Sequence, residues 1–140
     1  MTSVCIISNE VYPVDKGGIG RLMYNFAVRN QDSRHAVDLH FLFSSKLLPH
    51  AALVESPFAD LATIHYCPEE LVEIGSLGSA IQSFDGKDTL DRQMVESLRY
   101  YSGLLAAQTR CGFDFDFVEF PDFGGWGTAS IAAKRAGMNF

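Results

Sequence analysis

With 140 residues, 47% of them apolar and 20% charged, the chain has the size and balance of one globular domain with a core of its own. Its formal net charge of −6, from 11 Lys and Arg against 17 Asp and Glu, excludes a nucleic-acid duplex or an anionic membrane surface as the main partner, because both need clustered basic groups. The cysteines, Cys5, Cys67 and Cys111, lack C-x-x-C spacing and lie in or beside apolar stretches, so they read as reduced, buried thiols rather than a disulfide frame.

Val4 to Ile7 is a continuous apolar run and predicts a strand buried on both faces of a parallel sheet. Pro13 then forces the segment Glu10 to Asp15 into an irregular loop. Gly17, Gly18 and Gly20 follow, opening a helix over Gly20 to Asn30 whose inward face is Leu22, Met23, Phe26 and Ala27. Glycines at a helix start let a ligand approach the backbone closely, and the first N–H groups of the helix have no intrahelical acceptor, so the arrangement suits a phosphate or another anion. The same glycines also serve tight turning and helix packing. The spacing is neither G-x-G-x-x-G nor a Walker A loop.

Val37 to Phe43 predicts the second strand. His40 within it reads as a hydrogen-bonded or edge residue rather than a ligand. Pro49 and Pro57 bracket a loop with a short helix at Ala51 to Glu55, and Leu61 to Tyr66 forms the third strand, with His65 near its end. Cys67 to Lys87, rich in Gly and Ser, reads as a surface excursion. Leu90, Met94, Leu98, Tyr101 and Leu105 recur at helical spacing, with Asp88 or Thr89 capping the start and Gly112 the stop.

Phe113 to Phe120 alternates as a fourth strand. Asp114 and Asp116 look like a D-x-D metal signature, but they enter the strand, whereas open parallel sheets bind ligands beyond the carboxyl ends. Glu119 and Asp122 stand at the exit. Gly124, Gly125 and Gly127 open a last helix over Thr128 to Ala136, capped by Gly137. The expected fold is α/β, a Rossmann-like parallel sheet with helices on both faces and strand order 3-2-1-4. That order sets the first glycine loop beside the exit of the fourth strand.

Two stretches carry a resemblance: Pro13 with Gly17-Gly18-Ile19-Gly20-Arg21, and Phe117-Val118-Glu119-Phe120-Pro121-Asp122-Phe123-Gly124-Gly125 leading to a helix with Ala132, Lys134 and Arg135. In that order and separation they resemble the N-terminal domain of retaining glycosyltransferases of the GT-B type, family 4 (group 1). The resemblance implies donor-phosphate contacts at Gly17, Gly18, Ile19 and Gly20. It implies acceptor contacts at Glu119, Asp122, Phe123, Gly124 and Gly125; Trp126 or Phe123 would stack on a sugar ring, although an aromatic as large as Trp126 more often packs in the core. Asp15 holds the place of a lysine found in synthase relatives, with Lys16 adjacent. No cofactor or metal is implied, only a nucleoside-diphosphate sugar as co-substrate and a saccharide or lipid-linked acceptor.

The family's histidine and paired glutamates find no counterpart here. The expectation is therefore an N-terminal, acceptor-side fragment, stopping before the fifth strand and inactive alone, whose exposed face favours self-association. No basic leader and no apolar run of ~20 residues occurs, so the expected location is cytoplasmic, at most peripheral to a membrane. The alternative is a stand-alone, non-catalytic α/β module that binds a phosphorylated ligand or a protein partner.

Overall fold

The computed structural model describes residues 1–44, 48–67, 89–122 and 124–138. Its elements in order are β1 (Ser3–Ile7), α1 (Gly18–Gln31), β2 (Asp38–Ser44), α2 (His50–Val54), a 3₁₀ turn (Pro57–Asp60), β3 (Thr63–Cys67), α3 (Thr89–Cys111), β4 (Phe117–Glu119) and α4 (Thr128–Arg135). The four strands form one parallel sheet in the order β3-β2-β1-β4. β1 lies between β2, with Cys5 opposite His40 and Ile7 opposite Leu42, and β4, with Ile6 opposite Glu119. The expected α/β class and strand order are both met.

By contact density the chain divides into two compact units, Met1–Tyr66 with Phe115–Glu119, and Cys67–Asp114 with Phe120–Phe140. The first holds the sheet. One face of the sheet carries Ile6, Leu39, Phe41 and Phe43, packed with Ala27 of α1, Leu53 of α2 and Phe58 of the 3₁₀ turn. Phe41, Phe43 and Phe58 are fully buried and their rings meet at centroid distances of 4.9 to 6.2 Å. Each such side chain contributes about 1.5–3 kcal/mol relative to exposure. The other face, with Cys5, Ile7, His40, Leu42, Ser44 and His65, is also buried. That is why β2 reads as a nearly unbroken apolar run.

Two local expectations need correction. On α1 the core takes Met23, Tyr24 and Ala27, while Leu22 and Phe26 remain 62% and 45% exposed. The helix is turned so that Gly20 faces the backbone of the preceding loop and Tyr24 meets Tyr12 edge to face at 5.5 Å. β4 is three residues long rather than eight. Before it, the Asp116 carboxylate accepts hydrogen bonds from the Ser3 N–H (2.8 Å) and hydroxyl (3.2 Å), and the Asp116 N–H donates to Ser3 Oγ (3.0 Å). Side chain to backbone bonding thus replaces the ladder there.

In the second unit, α3 and α4 pack through Leu98, Tyr101, Ala129 and Ala133. Gly112 ends α3 in the left-handed region at φ 77°, with its N–H bound to Gln108 O, the glycine stop its sequence announces. The Asp88 cap and the Cys67 to Lys87 excursion fall outside the described residues apart from Cys67, which closes β3. Among the described residues no helix is long and apolar enough to cross a membrane.

Candidate functional site

The segment between β1 and α1 is held at several points. Ser8 donates its N–H to Leu42 O and its hydroxyl to Glu10 O, and accepts the Glu10 N–H in return. Val11 is fully buried in the core. Asp15 N–H donates to Val11 O (2.8 Å) and Tyr12 N–H to Gly20 O (3.1 Å). The Arg21 guanidinium lies 5.4 Å over the Tyr12 ring, a contact worth roughly 0.5–1 kcal/mol at an exposed site. The loop is therefore fixed relative to the helix it delivers.

Its three glycines have different physical reasons. Gly20 is required by packing, since a Cβ there would stand 3.0 Å from Asp15 O and 3.2 Å from Tyr12 N, both backbone atoms. Gly17 is the N-cap of α1; its N–H donates to Asp15 Oδ1 at 2.8 Å, and a Cβ would strike the Glu10 carboxylate. Gly18 is exposed, and a Cβ there would meet nothing within 4 Å. The first intrahelical bond runs from Arg21 N–H to Gly17 O. The N–H groups of Gly18, Ile19 and Gly20 therefore precede it, at the positive end of a helix dipole with no acid in its first turn. Of the expected phosphate donors, Gly17 has its N–H engaged by Asp15, which leaves Gly18, Ile19 and Gly20. Lys16 is exposed beside them.

Glu119 lies at the carboxyl end of β4, opposite Ile6 and exposed, so it shares the sheet edge from which the glycine loop departs. Asp122, Gly124 and Gly125 belong to the second unit, and Phe123 lies outside the described residues. The glycines of this second cluster are accounted for by the fold. Gly124 and Gly125 sit at φ 72° and 63°, and Gly127 abuts the Phe120 ring, where a Cβ would lie 2.9 Å from it. The first-turn N–H of Ala129 donates to Ser97 Oγ (2.7 Å), and the Ser97 hydroxyl donates to Trp126 O (3.1 Å). Trp126 is buried and lies 4.6 Å from the Tyr100 ring, the core role expected for it. The same unit has a cavity of about 310 Å³ between α3 and α4, lined by Leu98, Tyr101, Ala132 and Met138 among others. It carries no charged group to hold an anion.

A further grouping on the sheet was not assembled by sequence reasoning. His40 Nδ1 and His65 Nε2 lie 2.9 Å apart on neighbouring strands, both side chains buried. His40 Nε2 is 3.3 Å from Asp38 Oδ1, and the Phe115 ring covers both imidazoles at 4.9 and 6.2 Å. The signal available beforehand was one histidine in each of two strands that the 3-2-1-4 order makes neighbours. Comparison of the chain with protein families, with curated proteins and with solved structures gives no match in any of the three.

Proposed function

We propose that this chain is the acceptor-side half of a glycosyltransferase that moves a sugar from a nucleoside-diphosphate sugar to a saccharide or lipid-linked acceptor with retention at the anomeric carbon. The observation that carries the reading is Gly18: a glycine at the first position of α1, beyond the carboxyl end of the central strand, with no packing reason to lack a side chain. In the transfer, the bond from the anomeric carbon to the diphosphate breaks and one to the acceptor oxygen forms, and the acceptor's hydroxyl proton passes to the oxygen of the departing diphosphate. The N–H groups of Gly18, Ile19 and Gly20 would meet the departing diphosphate where its charge grows, and Glu119 would face acceptor hydroxyls at the neighbouring strand end. The groups acting on the anomeric carbon would come from a C-terminal domain, and the transfer itself would need no metal.

One observation favours a second reading. Asp15 and Glu10 bring two carboxylates to Gly17, so the helix start is partly self-capped, which favours, of the two partners open to a non-catalytic module, a phosphorylated ligand or a protein, the protein. Calorimetric titration with UDP, GDP and ADP separates the two. The first reading expects saturable binding of one of them, weakened at least tenfold by Gly18→Glu. That substitution enters open space and places an acid where the helix dipole favours one, so the fold is retained while phosphate is repelled. Absence of binding by all three, or equal binding by the variant, would leave the module reading.

A further inference from the structure

His40 and His65 lie outside the loop site, on the buried face opposite the phenylalanine core. Their ring planes are within 13° of each other, and the centroids are 5.2 Å apart although the nitrogens are only 2.9 Å apart. The rings therefore meet edge to edge, each presenting one nitrogen to the other. Asp38 stands 3.3 Å from the remaining nitrogen of His40. A carboxylate on that side favours, by its charge, the tautomer with the proton on Nε2 and the lone pair on Nδ1, as outer carboxylates do for metal-ligating histidines.

We propose that His40 Nδ1 and His65 Nε2 are two ligands of a site for a borderline divalent transition-metal ion such as Zn²⁺ or Co²⁺, with Asp38 as the orienting carboxylate. Two nitrogens bound at 2.0–2.1 Å to one tetrahedral ion are about 3.3–3.4 Å apart, so the pair needs to open by about 0.4–0.5 Å from its present spacing and each ring to turn by roughly 35° from the line joining the nitrogens. The proton balance is simple. With both imidazoles neutral, the proton of His65 moves from Nε2 to Nδ1, and the ion takes the vacated lone pair without net proton release. Imidazole donors select zinc, cobalt, nickel or copper over magnesium or calcium. The bound ion would clamp β2 to β3 on a buried face, a role separate from glycosyl transfer.

The test is titration of the unsubstituted chain with Co²⁺, read by its visible d–d absorption and then displaced with Zn²⁺. One equivalent is expected, with a rise in melting temperature. His40→Gln and His65→Gln keep a hydrogen-bonding group in place but remove the imidazole, and each should weaken binding at least tenfold. Asp38→Ala should weaken it about 10–100-fold. Imidazole NMR of the unsubstituted protein reads the same point without any variant: of the four histidines, Zn²⁺ should shift His40 and His65. The proposal is overturned if no saturable binding occurs, if His35 and His50 shift instead, or if binding survives the histidine variants and is lost on replacing Cys5, Cys67 and Cys111 by Ser.

Discussion

Gly18 and Gly20 lie two residues apart in one helical turn, and a methyl group added to each meets opposite surroundings. At Gly20 it would press on the backbone of Asp15 and Tyr12, whereas at Gly18 it would meet open space. Neither residue has a positive φ. Gly20→Ala is therefore expected to destabilise the fold by about 1–3 kcal/mol, the usual range for overpacking against atoms that cannot retreat. Gly18→Ala is expected to stabilise it by about 0.4–1 kcal/mol, because the unfolded chain loses freedom and the folded one gains no clash. Urea denaturation of the two variants decides the matter, and equal losses would remove the distinction between a packing glycine and an open one. A second contrast concerns the thiols. Burial pushes the Cys67 thiol up to about 12, against a partial counter-pull from Arg99, while Cys111 is partly exposed. Since the thiolate is the nucleophile, mass-spectrometric mapping after iodoacetamide treatment at pH 8 should find Cys111 modified and Cys67 protected until denaturant is added. Early labelling of Cys67 would show that the strand end is not buried.

Among the elements, β4 shows how much a short strand depends on its first residues. It pairs with β1 over only three positions, and the bonds between Ser3 and Asp116 fix its entry. Those bonds, the backbone N–H of Ser3 first and its hydroxyl second, hold the Asp116 carboxyl below the usual carboxylate range. The sign follows directly. Folding favours the ionised form, so the stabilisation is present above the ordinary value of about 3.9 and is lost as pH falls through the lower folded value. Asp116→Asn should lower the urea midpoint at pH 7, and the gap to the parent should narrow as pH falls below the ordinary carboxylate value. A gap that keeps its size as pH falls would mean that the contact acts by shape alone. The alternation Phe113 to Phe120 predicts a strand here but overruns its start, because Asp114 and Asp116 obey the period of a strand whether or not their backbone pairs. The same limit applied on α1. Periodicity located the helix, but Leu22 and Tyr24 differ in burial through a contact with Tyr12 that no local pattern records. His40 and His65 were each visible as a histidine in a strand, and only the pairing of β2 with β3 makes them one grouping.

At the scale of the whole molecule, strand order was the most legible property, because crossover handedness and apolar strand composition leave few arrangements of four parallel strands. Which glycines are open to a ligand was less legible, since one glycine pattern serves both packing and access, and only the surroundings of each Cα separate them. The order has a consequence for cooperativity. β1 is buried between β2 and β4, and the residues that close its far side come from more than a hundred positions later, as the 113-residue separation of Ser3 and Asp116 shows. A chain cut after Gly112 keeps β1, β2 and β3 but leaves Cys5, Ile6 and Ile7, all buried in the intact sheet, on an open edge with free N–H and C=O groups. Such an edge is long, apolar and uncharged along β1, the kind that recruits another chain. The shortened protein is therefore expected to self-associate further than the intact chain, seen as species of higher mass than the intact chain gives in size-exclusion chromatography with light scattering under the same conditions. Addition of a synthetic peptide covering residues 113–122 should reduce that association by restoring the neighbour of β1, and an Asp116→Asn peptide should do so less well. A monomeric, native-like shortened chain would show that β4 is an ornament of the sheet, and the glycine loop beside it would then have to be positioned by β2 and α1 alone.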